Sequence, residues 1–132
     1  MDNKTRPAFA PQQYIKSGVT NIEFYTKAFG AIELKRWTNE DGGIHAAELS
    51  INDAIFYVHE EVLKAGSFSP EKYNGITASI GLFVSDADRF MDKAITEGAI
   101  KISAAQDYEY GYRQGIIKDP FGHTWIIETK RS

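Results

Sequence analysis

The stretch Tyr110–Glu128, YGYRQGIIKDPFGHTWIIE, decides how this chain folds. It reads as strand, hard turn, strand. Gln114 to Lys118 is a β-rich run with two adjacent isoleucines. In Asp119-Pro120-Phe121-Gly122, Asp bonds its own downstream backbone, Pro fixes φ and Gly allows φ > 0. Thr124 to Thr129 is the returning strand and carries Trp125, Ile126 and Ile127. A lone hairpin cannot bury its apolar face, so the remaining chain must supply partners.

Moving outward from the hairpin, Ala104 to Tyr110 reads as an aromatic loop, and Ala99 to Ser103 as a short strand. Ser85-Asp86 caps a helix whose Ala87, Phe90, Met91, Ala94 and Ile95 share one face, and Gly98 ends it. Ile76 to Val84 alternates as a strand, with Ile76, Ala78, Ile80, Leu82 and Val84 to one side. The same order appears earlier. Phe9 to Ile15 is a strand marked as an edge by Pro11. Thr20-x-x-Glu23 reads as a capping box for a helix with Ile22, Tyr25, Ala28 and Phe29 on one face and Gly30 as C-cap. Ile32 to Thr38, Ile44 to Ile51 and Ala54 to His59 are strands joined by the turns NEDGG (Asn39 to Gly43) and Asn52-Asp53. Met1 to Arg6 is polar and expected to fray. Glu60 to Asn74 has no clean period and reads as a connection with at most one short helical turn.

The halves also echo in letters. Phe24, Lys27 and Ala28 recur as Phe90, Lys93 and Ala94, and Gly30-Ala31-Ile32 recurs as Gly98-Ala99-Ile100. A repeat near half the chain length predicts two βαβββ units. The expected organisation is one domain, 1–132, with units at 7–60 and 75–130 and a connecting loop at 61–74. In each unit a helix covers one sheet face, and the other faces, curved and more polar, line a cleft. The fold class is α+β.

The 132 residues suffice for one domain with a core. A net charge of −3 argues against a phosphate-tracking nucleic-acid surface. The chain has no cysteine, which removes disulfides, thiol nucleophiles and zinc-thiolate sites and suits a reducing compartment. There is no signal-peptide run, and no apolar stretch approaches the ~18 residues that span a bilayer. The expectation is a soluble, cytoplasmic protein with no nucleic-acid or membrane partner. No GxGxxG, P-loop or Ser/His/Asp nucleophile motif is present, and no cofactor is expected.

The βαβββ duplication, IEFYTKAFGA at Ile22 to Ala31, AELSI at Ala47 to Ile51 and YGYRQGIIKDPFGHTW at Tyr110 to Trp125 resemble the vicinal-oxygen-chelate superfamily. That group contains glyoxalase I, extradiol dioxygenases, fosfomycin-resistance enzymes and bleomycin-resistance proteins. Within it, the strings look most like the PhnB-like branch. The resemblance implies a paired βαβββ fold, commonly a homodimer, with a small-molecule cleft inside the curved sheet. It also implies a divalent metal held by His and Glu from four strands, with open positions for two neighbouring substrate oxygens. By strand alignment those ligand positions are Ala10, Tyr57, Gly81 and Ile126. Ala, Gly and Ile offer no donor and neutral Tyr is a poor one. No metal site is therefore expected. The branch's His before Ala-Glu-Leu is Ala46 here, with His45 one place earlier, and a one-residue step reverses a strand side chain.

Alternation places Gln12, Tyr57, His59, Thr77, Ser79, Phe83, Ile126 and Glu128 on the cleft side. A displaced metal site of His59, Glu128 and Gln12 is a minor alternative. The bland reading of His59 is an exposed strand-end imidazole. Glu128 in an apolar strand requires a cation or donors if buried, and Arg113 is its candidate partner or a clamp for a ligand anion. Glu128 as a surface carboxylate near Lys130, or as a general base, are the alternatives. His123 reads as structural, bonding across its own turn. Tyr108, Tyr110 and Tyr112, with Trp37, Tyr57 and Phe83, suit stacking of flat ligands, and Tyr108 to Tyr112 reads as a lid hinged at Gly111. The alternative for these rings is core plus a sticky loop. The candidate ligand-binding set is Gln12, Trp37, Tyr57, His59, Phe83, Tyr108, Tyr112, Arg113 and Glu128. The expected function is metal-free binding of an aromatic or cationic small molecule. A metal-dependent lyase, extradiol dioxygenase or thiol transferase is the alternative, and a metal-free enzyme using Glu128 or His59 as base is a third.

Overall fold

The computed structural model describes residues 7–73 and 75–131; the expected fraying of Met1 to Arg6 lies outside them. The first unit runs β1 (Gln12–Ile15), α1 (Glu23–Phe29), β2 (Ile32–Thr38), β3 (Ile44–Ile51) and β4 (Ala54–Glu60). The second repeats it as β5 (Ser79–Phe83), α2 (Ala87–Thr96), β6 (Ile100–Asp107), β7 (Tyr112–Lys118) and β8 (Thr124–Lys130). They form two four-stranded mixed sheets, ordered β1-β4-β3-β2 and β5-β8-β7-β6. In each, the strand before the helix pairs in parallel with the last strand, and the other pairs are antiparallel. This is the α+β fold expected from the repeat.

The turns follow their chemistry. Asn52 and Asp53 both take positive φ (48° and 69°), as a two-residue hairpin requires. In the connection, two short 3₁₀ turns, Leu63–Ala65 and Pro70–Lys72, replace the single turn expected.

Other boundaries move for identifiable reasons. Helix α1 is not opened by a Thr20 capping box. The Asn21 Oδ1 accepts from Glu23 N at 2.8 Å, and the Thr20 carbonyl is directed to Arg36 instead. Strand β5 begins at Ser79, not Ile76, because its pairing partner β8 begins opposite it at Thr124. Strand β6 continues to Asp107, past the expected end at Ser103. Register shifts on both sides of Ser103 interrupt its alternation and hide it from a period-2 reading.

The two helices and the helix-side faces of both sheets share one core. Tyr25 of α1 packs against Phe56 of β4 (ring centroids 5.4 Å apart), Phe121 (5.7 Å) and Trp125 of β8 (6.0 Å). Phe29 meets Trp125 at 4.8 Å and stacks on Phe90 of α2 at 5.4 Å. Ile15, Leu49, Val58, Ile117 and Ile127 fill the space between, all fully buried. Each such chain contributes roughly 1.5–3 kcal/mol by leaving water.

A polar hub sits inside this apolar core. The buried Asp119 carboxylate accepts from Phe121 N (2.9 Å) and His123 N (3.0 Å) on Oδ1, and from Tyr25 Oη (2.6 Å) and Trp125 Nε1 (2.9 Å) on Oδ2. The turn of the second unit is thereby bound to the helix of the first. Burial, then the negative charge and hydrogen bond of Asp119, raise the Tyr25 phenol well above its usual range, so it remains a donor. His123 is corrected here. Its Nε2 does not bond across its own turn but lies 2.7 Å from the Tyr14 carbonyl, on β1 of the other unit.

Candidate functional site

Because the helix-side faces meet at the shared core, the opposite face of each sheet turns away from it. On the β5-β8-β7 face, register sets Phe83 beside Glu128 and Glu128 beside Gln114. The next row is Gly81, Ile126 and Ile116. Glu128 is only 9% exposed. Gln114 Nε2 donates to Glu128 Oε1, and the Tyr110 hydroxyl donates to Gln114 Oε1. These two bonds fix which end of the amide faces the acid. The second carboxylate oxygen leans over Gly81. A β-carbon at position 81 would lie 2.9 Å from Glu128 Oε2, so the carboxylate oxygen takes the place that a side chain there would fill.

Aromatic rings border the carboxylate. Phe83 and Tyr112 meet edge to face at 5.8 Å, Tyr112 and Tyr110 are 6.1 Å apart, and Tyr110 stacks on Tyr108 at 5.5 Å. Phe83 and Tyr110 are 64% and 61% exposed, so both rings are open to contact from outside. Desolvation, then the charges of Tyr108 and Glu128, raise the Tyr110 pKa and keep its hydroxyl protonated as a donor. The loop beneath is held. Gly111 takes φ +93°, Tyr108 N donates to Tyr112 O at 2.8 Å, and Arg131 N donates to Gly111 O at 2.8 Å.

Arg113 does not join this group. Its position next to Gln114 gives it the opposite strand parity, and its guanidinium donates to Asp88 of α2 (2.7 and 3.1 Å) and Asp107 of β6 (3.1 Å). The proposed Glu128–Arg113 pair is therefore corrected; the acid's partner is Gln114.

The remaining sequence candidates lie on the other sheet. Gln12 pairs with Tyr57 and Tyr14 with His59 across β1 and β4, and Tyr14 and His59 rings are 6.0 Å apart. Trp37 sits on edge strand β2 opposite Ala46, 46% exposed. Thr38 pairs with Ile44 and Trp37 with Ala46, so His45 is an extra residue in β3. The bulge re-aims His45, whose ring lies 4.8 Å from His59. Its Nδ1 is 2.7 Å from Glu60 Oε2, which also accepts from Asn39 at 3.0 Å. The Asn39 bond, then that of His45, hold the Glu60 carboxyl below its usual pKa. Gln12 and Tyr14 also line a groove of about 990 Å³ between β1 and the connection, with Phe68, Tyr73 and Ile80.

The chain thus brings Phe83, Tyr108, Tyr112 and Glu128 together on one sheet, and Gln12, Trp37, Tyr57 and His59 on the other. A divalent metal does not fit the donors present. Gly81 and Ile126 are paired in the centre of the face without a ligating atom. Among the described residues no three His, Cys, Asp or Glu side chains gather closely enough to hold an ion. Gln114 was missed as a site residue from sequence, although Tyr110, Tyr112 and Gln114 share one alternation, whereas Gly81 reads from sequence only as a ligand position without a donor.

The model of the Glyoxalase/Bleomycin resistance protein/Dioxygenase superfamily matches residues 14–127. An uncharacterized protein of Mycobacterium bovis, Mb0911c, is 34% identical over 124 residues, spanning 92% of this chain and 82% of that one. The X-ray structure of the Arabidopsis thaliana gene product At5g48480 is 28% identical, covers 93% of this chain and 98% of its own, and superposes with a TM-score of 0.72. The crystal structure of TioX from Micromonospora sp. ML1 shares the fold at 21% identity, with 96% and 98% coverage and a TM-score of 0.68.

Proposed function

We propose, from the premise that this chain belongs to the Glyoxalase/Bleomycin resistance protein/Dioxygenase superfamily, that it binds a small aromatic or cationic molecule without a bound metal. The observation that carries this reading is the arc of Phe83, Tyr112 and Tyr110 beside the nearly buried Glu128. Exposed rings give flat ligands a stacking surface, and a fixed carboxylate orients one polar end. A thermal-shift screen of aromatic metabolites and antibiotics tests it. A ligand should raise the melting temperature dose-dependently, and Phe83→Ala should weaken that rise. Stoichiometric divalent metal, retained through purification and lost with cleft substitutions, would favour the metal-dependent enzyme instead.

A second reading has one specific observation behind it. Gln114 anchors Glu128 Oε1, and Oε2 carries no hydrogen bond among the described residues, the arrangement of a general base. In that case Glu128→Gln abolishes turnover while ligand affinity survives. If the protein only binds, affinity alone changes.

We also infer a homodimer. Each chain offers the site as a single wall, and Trp37, Ile32 and Ile100 at the outer strands are exposed, so a second copy would enclose the ligand. Sedimentation at micromolar concentration checks this, with a monomer counting against it. The IEFYTKAFGA and DPFGHTW strings support placement in the PhnB-like branch, and the absence of cysteine suits the cytoplasm.

A further inference from the structure

Resting on the binding reading, we infer that the sheet face beside Glu128 carries a subsite for an organic cation, an alkylammonium head held between Glu128 Oε2 and the rings of Phe83 and Tyr112. The argument starts from the carboxylate. A buried carboxylate without a counter-charge is costly. Gln114 satisfies Oε1 of Glu128 with a neutral amide and leaves Oε2 free. No Lys, Arg or His nitrogen lies within 4.0 Å of it among the described residues. The cations on neighbouring strands are placed elsewhere. Arg113 is bound to Asp88 and Asp107, and Arg131 to the Tyr108 carbonyl and Asp107. Lys130 shares the face of Glu128 two residues on, opposite Tyr112, but its exposed ammonium forms no ion pair with the carboxylate, and Lys118 lies at the far end of β7 opposite Thr124.

The rings supply the second half. Electron-rich aromatic faces attract ammonium groups, most strongly where water is excluded. Phe83 is Glu128's direct register partner and Tyr112 packs against Phe83. Glycine at position 81 lets Oε2 lie over the strand, where a β-carbon would come within 2.9 Å of it. A neutral ligand of the same shape could touch the rings. It would also strip water from Oε2 without returning a counter-charge, a penalty that the cation avoids.

Titration of the full-length protein with choline and with its uncharged carbon isostere, dimethylbutanol, separates these cases. Saturable shifts should appear by NMR for choline, with the isostere weaker by at least about tenfold. Glu128→Gln should erase that preference, and Phe83→Leu, at an exposed position, should weaken choline binding. Melting curves confirm that both variants remain folded. Equal binding of the two probes, or a preference that survives Glu128→Gln, overturns the inference. So does an absence of choline binding. In each case the broader binding reading stands if neutral aromatic compounds still raise the melting temperature, and falls if they do not.

Discussion

At the scale of single residues, the second unit's turn is built around a carboxylate that four donors reach. Asp119 serves two backbone amides of its own turn, the Trp125 indole and the Tyr25 hydroxyl of a distant helix. Removing it as Asp119→Ala strands four donors, each worth about 1–3 kcal/mol unmet, so a total loss of at least about 4 kcal/mol is expected by urea unfolding. Tyr25→Phe deletes only one of the four and should cost about 1–2 kcal/mol. Part of this was legible in advance: DPFGHTW announced a turn with Asp bonding downstream. The Tyr25 bond was not, because nothing local in a sequence shows which helix packs on a turn 94 positions away. Glu60 makes a smaller, pH-dependent contribution. Its folded-state pKa is lowered, by Asn39 first and His45 second. Its stabilisation is therefore complete above the unfolded carboxylate value of ~4.3 and lost as pH falls through the lower folded value. Asn39→Ala should flatten the acid limb of stability against pH below ~4, and an unchanged limb would remove Glu60 from the account.

At the scale of elements, α2 approaches β7 closely because Gly115 lacks a side chain. A β-carbon there would meet Met91 Sδ at 2.2 Å and Cε at 2.7 Å, and the Ala105 amide nitrogen at 3.0 Å. Overpacking of this kind costs about 1–3 kcal/mol, the expected loss in Gly115→Ala. The Met91 chain can be shortened, whereas the β6 backbone cannot move freely. Gly115→Ala with Met91→Ala should thus be less destabilised than the two losses added, by at least about 0.5 kcal/mol. Strict additivity would show that Ala105, not Met91, limits the site. Elements were readable wherever one period held: β2 and β3 fall within the expected bounds, as do the two hairpin turns of the first unit. They were unreadable where a bulge breaks the period. The irregular ladder of β6 hid its second half, and the bulge at His45 hid that residue's approach to His59. The candidate site divided the same way. Alternation found Phe83 and Glu128 on one face, but Arg113, read as the partner of Glu128, has the opposite parity and turns to Asp88 and Asp107. Which residues share a sheet with which depends on topology, and Gln12, Tyr57 and His59 consequently lie on the other sheet from Glu128.

At the scale of the whole molecule, two units that repeat each other have not stayed independent. Phe29 belongs to the first, yet it stacks on Phe90 and abuts Trp125, both of the second. His123 reaches the β1 backbone, and buried Ser69 in the connection lies 3.5 Å from the Phe121 carbonyl. A core shared in this way couples the two sheets, so neither can open while the other keeps its apolar face covered. Phe29→Ala should cost about 3–5 kcal/mol. The more discriminating observation is where that loss appears. Native-state hydrogen exchange should show amides of β3 and β8 losing protection by equal amounts, because global unfolding is the event that exposes both. Circular dichroism and the fluorescence of Trp37 and Trp125, one in each unit, should then report coincident midpoints for wild type and variant alike. Protection lost in β3 while β8 retains it would mean that the units unfold separately. The ring contacts between them would then be packing without coupling.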